Sequence, residues 1–490
     1  MKNFVVLLPE IYLIITLLGT VAGEAGYHGE GVRLIKWTAL MGLGAAFFQV
    51  LILFSFEPVT VFQNIYRINH FKLFFKLFFI TLGIITFLIS DLEKEIEKNK
   101  MTEFSILILT AVLSLCVLTS AEQLVFMFLA IQLFMVTSYF LISLDKKSVL
   151  PVEAGIKYFV IGTLASVFFV LGIMLIFLLT RSFYLNEIRV SLLGLQLNRE
   201  TLIVLFALVF FIFFTWLGLF PVYFWLVDVF EGAPTLVSAF LSIASKAAGV
   251  CLFISLIFPI FTHNTAGLSG GLKTVGFFEW PLFLAVIIVI TFGVGAVLSL
   301  QQNQLKKLVA YFSMIESSYL LLGFIILDQN AMVALLYHLI VQLFSLMGLF
   351  YLISYFQSLG IRSVEEFRGD IKKFIPEVIS FFIFFIGLIG FPPSPGFISK
   401  VILIEAVFAN GWSCLAFFSI MVFCLELIAF CRIGLYLITA FGQDNLATIP
   451  IITTKENHSN RILLWCLVLP VFLTGIFCEN IFDFLRYTVQ

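Results

Sequence analysis

The residues best suited to chemistry are five ionisable side chains in stretches that are otherwise apolar. They are Lys246 in SIASKAAG, Glu316 in AYFSMIESSYLLLG, His338 in LLYHLIVQL, Lys400 in GFPPSPGFISK, and Glu405 five residues further on. An ionisable group inside a membrane is costly unless it has a partner or water, and such groups mark ion and proton pathways. Removal from water disfavours the ammonium form of lysine, and histidine titrates nearest to neutral pH. These residues therefore indicate the acceptance and release of protons.

The same residues also have structural interpretations. A buried lysine can be locked to a carboxylate as a link between helices, and a single buried histidine is usually only hydrogen-bonded. Lys246, Lys400 and Arg432 are three cations inside apolar spans. Glu405 and Glu426 are both candidate partners for Lys400, and Arg432 could pair with Glu426 instead. The sequence alone leaves these pairings open.

The composition predicts that membrane helices position these residues. Of the 490 residues, 61% are hydrophobic and only 12% are charged, whereas about a quarter of the residues of an average soluble domain are charged. No joint between the apolar stretches is long enough for a separate soluble domain. The net charge is −1 and there is no basic block, so a nucleic-acid partner is excluded.

Apolar stretches of about 20 residues, the length needed to cross a membrane, follow one another along the chain. They predict an all-α, polytopic membrane protein with about fourteen transmembrane helices. The predicted spans lie near residues 4–22, 37–56, 73–90, 104–120, 122–143, 156–179, 201–226, 236–259, 281–300, 307–327, 331–356, 375–405, 411–439 and 462–482.

Two of these spans are interrupted by proline and glycine. Span 7 contains WLGLFP (Trp216–Pro221), and span 12 contains LIGFPPSPGF (Leu388–Phe397). Backbone groups freed inside a membrane are tolerated only against protein or a water-filled cavity. Breaks at comparable places in two halves are typical of a transporter built from inverted repeats, here of about five helices. The alternative interpretation is two ordinary kinks.

The sequence predicts neither a cofactor nor a metal site in this chain. The seven cysteines form no CxxC pair, and there is no Walker loop, GxGxxG or HExxH motif. Any electron transfer coupled to this protein is therefore expected to take place in another chain.

Five segments carry a family resemblance and follow one another in that family's order. They are EAGIKYFVIGTLAS (Glu153–Ser166), FPVYFWLVDVFEGAP (Phe220–Pro234), SIASKAAG (Ser242–Gly249), QLKKLVAYFSMIESSYLLLG (Gln304–Gly323) and GFPPSPGFISK (Gly390–Lys400). Together they resemble the signature stretches of chain 2, an antiporter-like membrane subunit of respiratory NADH:ubiquinone oxidoreductase (complex I). Pro9 and Glu10 resemble the opening of that chain.

The resemblance implies a fold of fourteen helices with two inverted five-helix repeats. It divides the chain into an N-terminal three-helix region (1–103), a first antiporter-like repeat (104–260, spans 4–8), a second repeat (261–440, spans 9–13) and a C-terminal helix (441–490).

The resemblance also assigns proton-transfer roles and exposes two departures from the family. Lys246 matches the family's lysine of span 8, and Lys400 matches its terminal lysine of span 12. Gln132 stands where the family has a glutamate, and Trp216 where it has a lysine. Neither an amide nor an indole titrates near neutral pH. Glu316, at a position that is usually a neutral polar residue in the family, is a candidate for the missing negative charge.

Three functional hypotheses follow from these matches and departures. The first is a proton-translocating subunit in the membrane arm of the complex, coupled to quinone reduction elsewhere and using Lys246, Lys400, His338, Glu316 and Glu405. The second is a structural and electrostatic relay subunit of the same complex that no longer pumps, as Gln132 and Trp216 suggest. The third, which the segment matches disfavour, is a stand-alone cation/proton antiporter.

Partners and localisation are also implied by the resemblance. The expected partners are the neighbouring antiporter-like chain 4, small quinone-proximal membrane chains, accessory subunits and lipids, with NADH, FMN, iron–sulfur clusters and ubiquinone held by partner subunits. Lysine and arginine are more frequent in the odd-numbered joints, so the positive-inside rule predicts both termini on the outer face. The expected location is the mitochondrial inner membrane, with both termini on the intermembrane-space side. The bacterial plasma membrane is the alternative.

Overall fold

The fold is almost entirely helical, as its apolar spans predict. The computed structural model of the chain describes residues 5–27, 32–90, 95–96, 100–146, 148–195, 198–257, 260, 262–263, 273–274, 280–326, 328–366, 375–442 and 458–489. Residues 4, 258–259 and 327 of the predicted spans lie outside these ranges, as does residue 261, where the second repeat is predicted to begin. The division into four regions stays a prediction.

Among the residues that the structure describes, ten helices and a hairpin lie in the first part of the chain, up to residue 257, and eight helices lie in the second part. The helices are α1 (Leu8–Tyr27), α2 (Val32–Leu53), α3 (His70–Ile89), α4 (Met101–Ser120), α5 (Leu124–Ile142), α6 (Val149–Thr180), α7 (Leu185–Gly194), α8 (Arg199–Leu217), α9 (Phe224–Gly232) and α10 (Thr235–Leu252), which continues as a π-helical turn, Phe253–Ile257. The antiparallel strands β1 (Val59–Val61) and β2 (Tyr66–Ile68) pair Val59 with Ile68.

Eight helices follow in the second part. They are α11 (Trp280–Gln301), α12 (Leu305–Ile326), α13 (Gln329–Ser358), α14 (Ile375–Ile389), α15 (Pro395–Ala409), α16 (Ser413–Gly442), α17 (His458–Ile476) and α18 (Cys478–Val489), with a short 3-10 turn at Val364–Glu366. Strands β3 (Thr262–His263) and β4 (Lys273–Thr274) form a second antiparallel hairpin.

Each predicted span overlaps a helix or a pair of helices with a break between them. In the described part of the chain, eleven helices are long and apolar enough to cross a membrane, or up to twelve if α17 and α18, bent by 81°, count as one span. The polytopic helical membrane fold is thus confirmed, whereas the number fourteen stays a prediction.

Both predicted breaks are present, and each begins with a glycine in the left-handed region. α8 ends before Gly218 (φ 64°), and α14 ends before Gly390 (φ 85°). The next helix begins at Phe224 in the first case and at Pro395 in the second. Glycine is suited to these positions because a side chain is rarely tolerated at such φ values.

Three helices form the interior of the bundle. In α10, α12 and α13, 89% of the most apolar window is buried, against 33–72% for the other helices that could span a membrane alone. Lys246 lies on α10, Glu316 on α12 and His338 on α13. The interior helices therefore carry three of the five ionisable residues singled out in the sequence.

The ends of the helices define two faces of the molecule. Face A carries Glu95, Asp145, Lys306 and Arg362, which line one cleft. The opposite face B includes the start of α3, where the ring of His70 packs 4.5 Å from that of Tyr487 on α18. Tyr66, just before α3, donates a hydrogen bond to Glu10 near the start of α1 (2.7 Å). The first and last described helices therefore meet face B together.

Candidate functional site

Lys400 lies at the centre of a buried charged cluster. Its Nζ is 2.8 Å from Oε1 of Glu316 and 3.0 Å from Oε2 of Glu426, and it donates to the carbonyl oxygen of Ile389 at 2.8 Å. The ring of Tyr319 lies beneath it, with the centroid 4.2 Å away. The break between α14 and α15 makes this carbonyl available. Ile389 is the last residue of α14, so no following helical turn provides an N–H group to donate to its carbonyl oxygen.

His338 joins this cluster from α13. Its Nε2 is 2.8 Å from Oε2 of Glu316, so that this glutamate contacts Lys400 with one oxygen and the imidazole with the other. The Nδ1 of His338 is 2.8 Å from the hydroxyl of Ser399 on α15. The side chains of Glu316 and His338 are fully buried, and residues from α12, α13, α15 and α16 thus meet in one place.

Lys246 has a different environment from Lys400. Its Nζ donates to the backbone carbonyl oxygen of Ser313 at 2.7 Å, and in the described part of the chain no carboxylate pairs with it. Lys246 is only 1% exposed, and its neighbours Ser242 and Ser245 are buried as well. Ser313 and Glu316 are one turn apart on α12, so that Lys246 lies beside the cluster without an ion pair to it.

Several buried polar atoms near the cluster lack a protein partner. Within the described ranges, these include Oε1 of Glu426, Oε1 of Gln342, and the hydroxyl oxygens of Ser313 and Ser345. Oε2 of Glu316 and Nε2 of His338 contact each other at 2.8 Å but do not meet hydrogen-bond geometry. Gln342 donates to the carbonyl oxygen of Glu316 at 3.4 Å. Buried polar groups in proteins are usually satisfied by protein or by ordered water. These atoms therefore indicate that the site can hold water between its charged groups.

The cluster is balanced in charge in its simplest protonation state. Lys246 and Lys400 carry two positive charges that cancel those of the carboxylates of Glu316 and Glu426 when His338 is neutral. A buried charge without compensation is strongly unfavourable in a low-dielectric interior. The arrangement can therefore hold four charges at membrane depth and pass a proton among them without changing their sum.

Glu405 is not part of this cluster. It is exposed on α15 and lines a cleft of about 350 Å³ with Asp328, Asn410 and Arg486. Five residues along a helix turn a side chain well away from its starting direction. Glu426, which the sequence left open as a partner of Lys400, takes the position for which Glu405 was also a candidate. The predicted proton-transfer role of Glu405 stays a prediction.

Arg432 also differs from its predicted pairing. Its guanidinium group donates to the carbonyl oxygens of Ser299, Leu300 and Gln302 around the end of α11. The last carbonyls of a helix have no partner within the helix, and a cation near them is favourable. Arg432 thus caps α11 and leaves Glu426 to Lys400.

At Gln132 and Trp216, the two positions that depart from the family in the sequence comparison above, the described structure has no charged cluster. Gln132 donates to the hydroxyl of Ser166 at 2.7 Å. Trp216 is completely buried, packs against Phe134 with ring centroids 5.6 Å apart, and has no hydrogen-bond partner for Nε1 among the described residues. Gln132 and Trp216 therefore make only uncharged polar and aromatic contacts with the residues around them in the described structure.

The sequence analysis missed two further buried ion pairs near face B. Lys76 on α3 is 2.6 Å from Oε1 of Glu10, and Lys72 is 2.6 Å from Oε1 of Glu122. Burial, and then the charge of Glu10, raise the pKa of Tyr66 well above its ordinary value, so its phenol stays protonated and donates to Glu10. The sequence did contain a signal for Lys76, because residue 76 lies inside the predicted span 73–90. It was nevertheless not included among the cations inside spans.

A polar cleft on face A lies at the start of α10, the helix that carries Lys246. It has a volume of about 530 Å³ and is lined by Glu95, Lys306 and Gln357, among others. Thr235, the first residue of α10, donates through its hydroxyl to Oε2 of Glu95 at 3.0 Å. Lys246 lies eleven residues further along α10, which is about 17 Å at 1.5 Å per residue.

Comparisons with known proteins agree with this architecture. The profile of a family described as "NADH:quinone oxidoreductase/Mrp antiporter, TM" matches residues 121–426. NADH-quinone oxidoreductase subunit N 2 of Chloroherpeton thalassium is 30% identical over 82% of this chain and 78% of its own length. Among solved structures, respiratory complex I from Thermus thermophilus contains a chain with a TM-score of 0.77 and 20% identity, covering 97% of this chain and 98% of that one. The Mrp complex from Dietzia sp. DQ12-45-1b gives a TM-score of 0.81 and 17% identity, covering 99% and 97%.

Proposed function

Since the chain belongs to the NADH:quinone oxidoreductase/Mrp antiporter transmembrane family, we propose that it translocates protons as a membrane-arm subunit of an NADH:quinone oxidoreductase. Proton movement is coupled to quinone reduction elsewhere in the complex. The proposed route runs through Lys246, Glu316, His338 and Lys400. The redox cofactors NADH, FMN, iron–sulfur clusters and ubiquinone belong to partner subunits in this proposal.

One observation carries the proposal: Glu316 contacts both Lys400 and His338 with its two carboxylate oxygens, in a site without solvent exposure. A purely structural ion pair needs only one acid and one base. Here a glutamate connects two proton-binding groups, and a second carboxylate, Glu426, compensates Lys400 when Glu316 changes its state. Because Lys400 contacts two carboxylates, one of them can gain or lose a proton while the other remains a partner of Lys400.

The proposed transfer step runs from Lys246 to His338. With Lys246 protonated and His338 neutral, the two lysines balance the two carboxylates. After transfer, Lys246 is neutral and the imidazolium of His338 carries the charge beside Glu316, so the total is unchanged. One N–H bond of Lys246 breaks and one N–H bond of His338 forms. The missing carboxylate beside Lys246 favours this direction, since no ion pair holds its proton in place.

Protons reach Lys246 in this proposal from the cleft on face A. The hydroxyls of Thr235, Ser238, Ser242 and Ser245 recur every three or four residues along α10 and are all buried. Residues at this spacing share one side of a helix. They form a polar stripe between the cleft and Lys246, along which water can be ordered.

Release takes place on face B in this proposal. Glu405 lies on the same helix as Lys400 and lines the cleft there with Arg486. We assign it the role of an acceptor at the exit, outside the charged cluster. Face B, with both termini, is then the outer side of the mitochondrial inner membrane or the bacterial plasma membrane, in keeping with the charge bias of the joints.

A second candidate function is a subunit of the same complex that relays electrostatic changes without pumping. The neutral contacts of Gln132 and Trp216 favour it, because they remove the titratable pair that the family uses in the first repeat. Neighbouring antiporter-like chains, small quinone-proximal chains, accessory subunits and lipids are the proposed partners in both cases. A stand-alone antiporter is less favoured, since the 30% identical relative is an oxidoreductase subunit.

The two candidates differ in proton stoichiometry. We expect Glu316→Gln and Lys246→Met, in the intact complex reconstituted into liposomes, to slow proton transfer through this subunit at least about 100-fold, the range for loss of a positioned acid–base group. The number of protons moved per NADH oxidised then falls, while the complex still assembles and reduces quinone. Glu316→Gln keeps Glu426 beside Lys400, which limits the structural damage.

Glu153→Gln is the matched control, because Glu153 forms an exposed ion pair with Lys157 at 2.9 Å. Its proton stoichiometry should equal that of the unmodified complex. If both test variants also keep the original stoichiometry, this subunit does not pump through the cluster and the relay function replaces the proposal.

A further inference from the structure

Ser399 faces two hydrogen-bonding partners at once. Its Oγ is 2.8 Å from Nδ1 of His338 and 2.8 Å from the carbonyl oxygen of Gly396, one turn earlier on α15. Ser399, like His338, is completely buried. The other nitrogen of the imidazole, Nε2, is 2.8 Å from Oε2 of Glu316.

The proton inventory of these groups allows two arrangements. A serine hydroxyl has a single proton to donate, and it can also accept, whereas a carbonyl oxygen only accepts. If the hydroxyl donates to Nδ1, the imidazole is neutral and its protonated Nε2 contacts the carboxylate of Glu316 at 2.8 Å. If Nδ1 carries a proton, that N–H donates to Ser399, and the hydroxyl must turn to Gly396.

We infer that Ser399 is a hydroxyl switch that lets His338 gain and lose one proton at Nδ1. The inference rests on the proposed function and names a positioning residue for it. When Nδ1 of His338 has no proton, the hydroxyl of Ser399 points to it. When Nδ1 is protonated, the loaded state, the hydroxyl points to the carbonyl oxygen of Gly396. Loading breaks one N–H bond of Lys246 and forms one N–H bond at Nδ1 of His338, while only the hydroxyl hydrogen of Ser399 rotates.

The switch works without movement of the protein framework. Both acceptors are already at hydrogen-bonding distance from the same oxygen, so each arrangement gives Nδ1 of His338 and the hydroxyl of Ser399 a partner with unchanged positions of the N and O atoms. A fixed donor at this place would hold Nδ1 as an acceptor, and a fixed acceptor would hold it protonated. A hydroxyl serves both protonation states of His338, which a group passing protons must visit in turn.

The surroundings of His338 keep both states accessible. Glu316 lies at Nε2 and stabilises the imidazolium, while Lys400, which contacts the other oxygen of Glu316, opposes a second positive charge nearby. The ring of Tyr319 lies 6.3 Å from that of His338. These opposing effects leave the loaded state stable but releasable, and the orientation of Ser399 follows it.

The test removes and restores the hydroxyl in the intact, reconstituted complex. We expect Ser399→Ala to slow proton transfer through this subunit about 10-fold or more, as loss of a hydrogen bond to a charged group does. Ser399→Thr, which keeps a hydroxyl at this position, should recover most of the rate of proton transfer. Ser380→Ala is the control, because Ser380 is buried and its hydroxyl donates to the carbonyl oxygen of Pro376 in its own helix (2.8 Å).

A spectroscopic readout separates the switch from a packing effect. Infrared difference spectra during NADH-driven turnover, with ¹⁵N-labelled histidine, report which ring nitrogen carries a proton. The signal of His338 is identified by its loss in His338→Gln. We expect this signal to change in Ser399→Ala and to return in Ser399→Thr.

The outcomes are distinguishable from those for the proposed function. If Glu316→Gln lowers the stoichiometry but Ser399→Ala changes neither stoichiometry nor the histidine signal, the switch is refuted and proton translocation stands. If Ser380→Ala lowers the stoichiometry as much as Ser399→Ala, the effect is structural and the switch is also refuted. If Glu316→Gln and Lys246→Met both leave the stoichiometry unchanged, the proposed function itself falls.

Discussion

Each of the two central lysines is buried, but they differ in how firmly they are held. Lys400 is fixed between two carboxylates and a backbone carbonyl, whereas Lys246 has a carbonyl alone. Proton exchange requires a group that can be neutral for part of a cycle. In the proposed mechanism, Lys246 is therefore the group that changes its charge, and Lys400 stays protonated beside Glu316.

At the same scale, burial decides which ion pairs support the fold. Glu10→Gln should destabilise the N-terminal helices by about 3–5 kcal/mol, because it leaves Lys76 buried without a compensating charge. The measurement is the thermal inactivation of the solubilised complex. Glu103→Gln, in the first turn of α4, is a comparable change for which no buried ion pair is present in the described structure. An equal loss of thermal stability in the Glu10→Gln and Glu103→Gln complexes would contradict this prediction.

At the scale of elements, the break in span 12 depends on a close approach between its two halves. A Cβ atom at Gly396 of α15 would lie 2.1 Å from the carbonyl oxygen of Gly387 on α14. The same contact brings Lys400, one turn after Gly396, to the free carbonyl of Ile389. The interruption therefore serves two purposes: it lets the helices pack closely, and it supplies an acceptor for the buried ammonium group.

Gly396→Ala should accordingly separate the two half-helices and displace Lys400. We expect proton stoichiometry to fall and the complex to lose thermal stability by about 1–3 kcal/mol, the usual cost of overpacking. Gly293→Ala on α11 is the control, since a Cβ there meets nothing within 4 Å. A normal stoichiometry in Gly396→Ala would show that the position of Lys400 tolerates a shift of α15.

At the scale of the whole molecule, the two faces carry the two clefts of the proposed route. The cleft of face A lies at the start of α10 and α12, and that of face B lies at the end of α15 and beside α18. The charged cluster lies between them, where α12 and α13 meet α15 and α16. A route that is open at both faces at once would leak, so the buried segment between Lys246 and Lys400 must separate the two clefts.

Orientation in the membrane is testable with introduced cysteines. We predict that Asn410→Cys, in an exposed turn of face B, reacts with a membrane-impermeant maleimide from the outer side of sealed vesicles. Gln304→Cys on face A should react only after permeabilisation. Both variants are made with Cys414→Ser, because Cys414 is exposed near face B. The reverse labelling pattern would invert the proposed direction of transport.

The sequence by itself determined the helical membrane class, both broken spans and four buried ionisable residues of the site: Lys246, Glu316, His338 and Lys400. These properties are local, because apolar length, glycine and proline act within a single span. The tertiary structure alone decided that Glu426 rather than Glu405 pairs with Lys400, that Arg432 caps α11, and that Lys76 is buried against Glu10. These contacts depend on the rotation and packing of helices distant in the chain; Glu316 and Lys400, for example, are 84 residues apart. A hydropathy pattern does not specify which sides of two spans face each other.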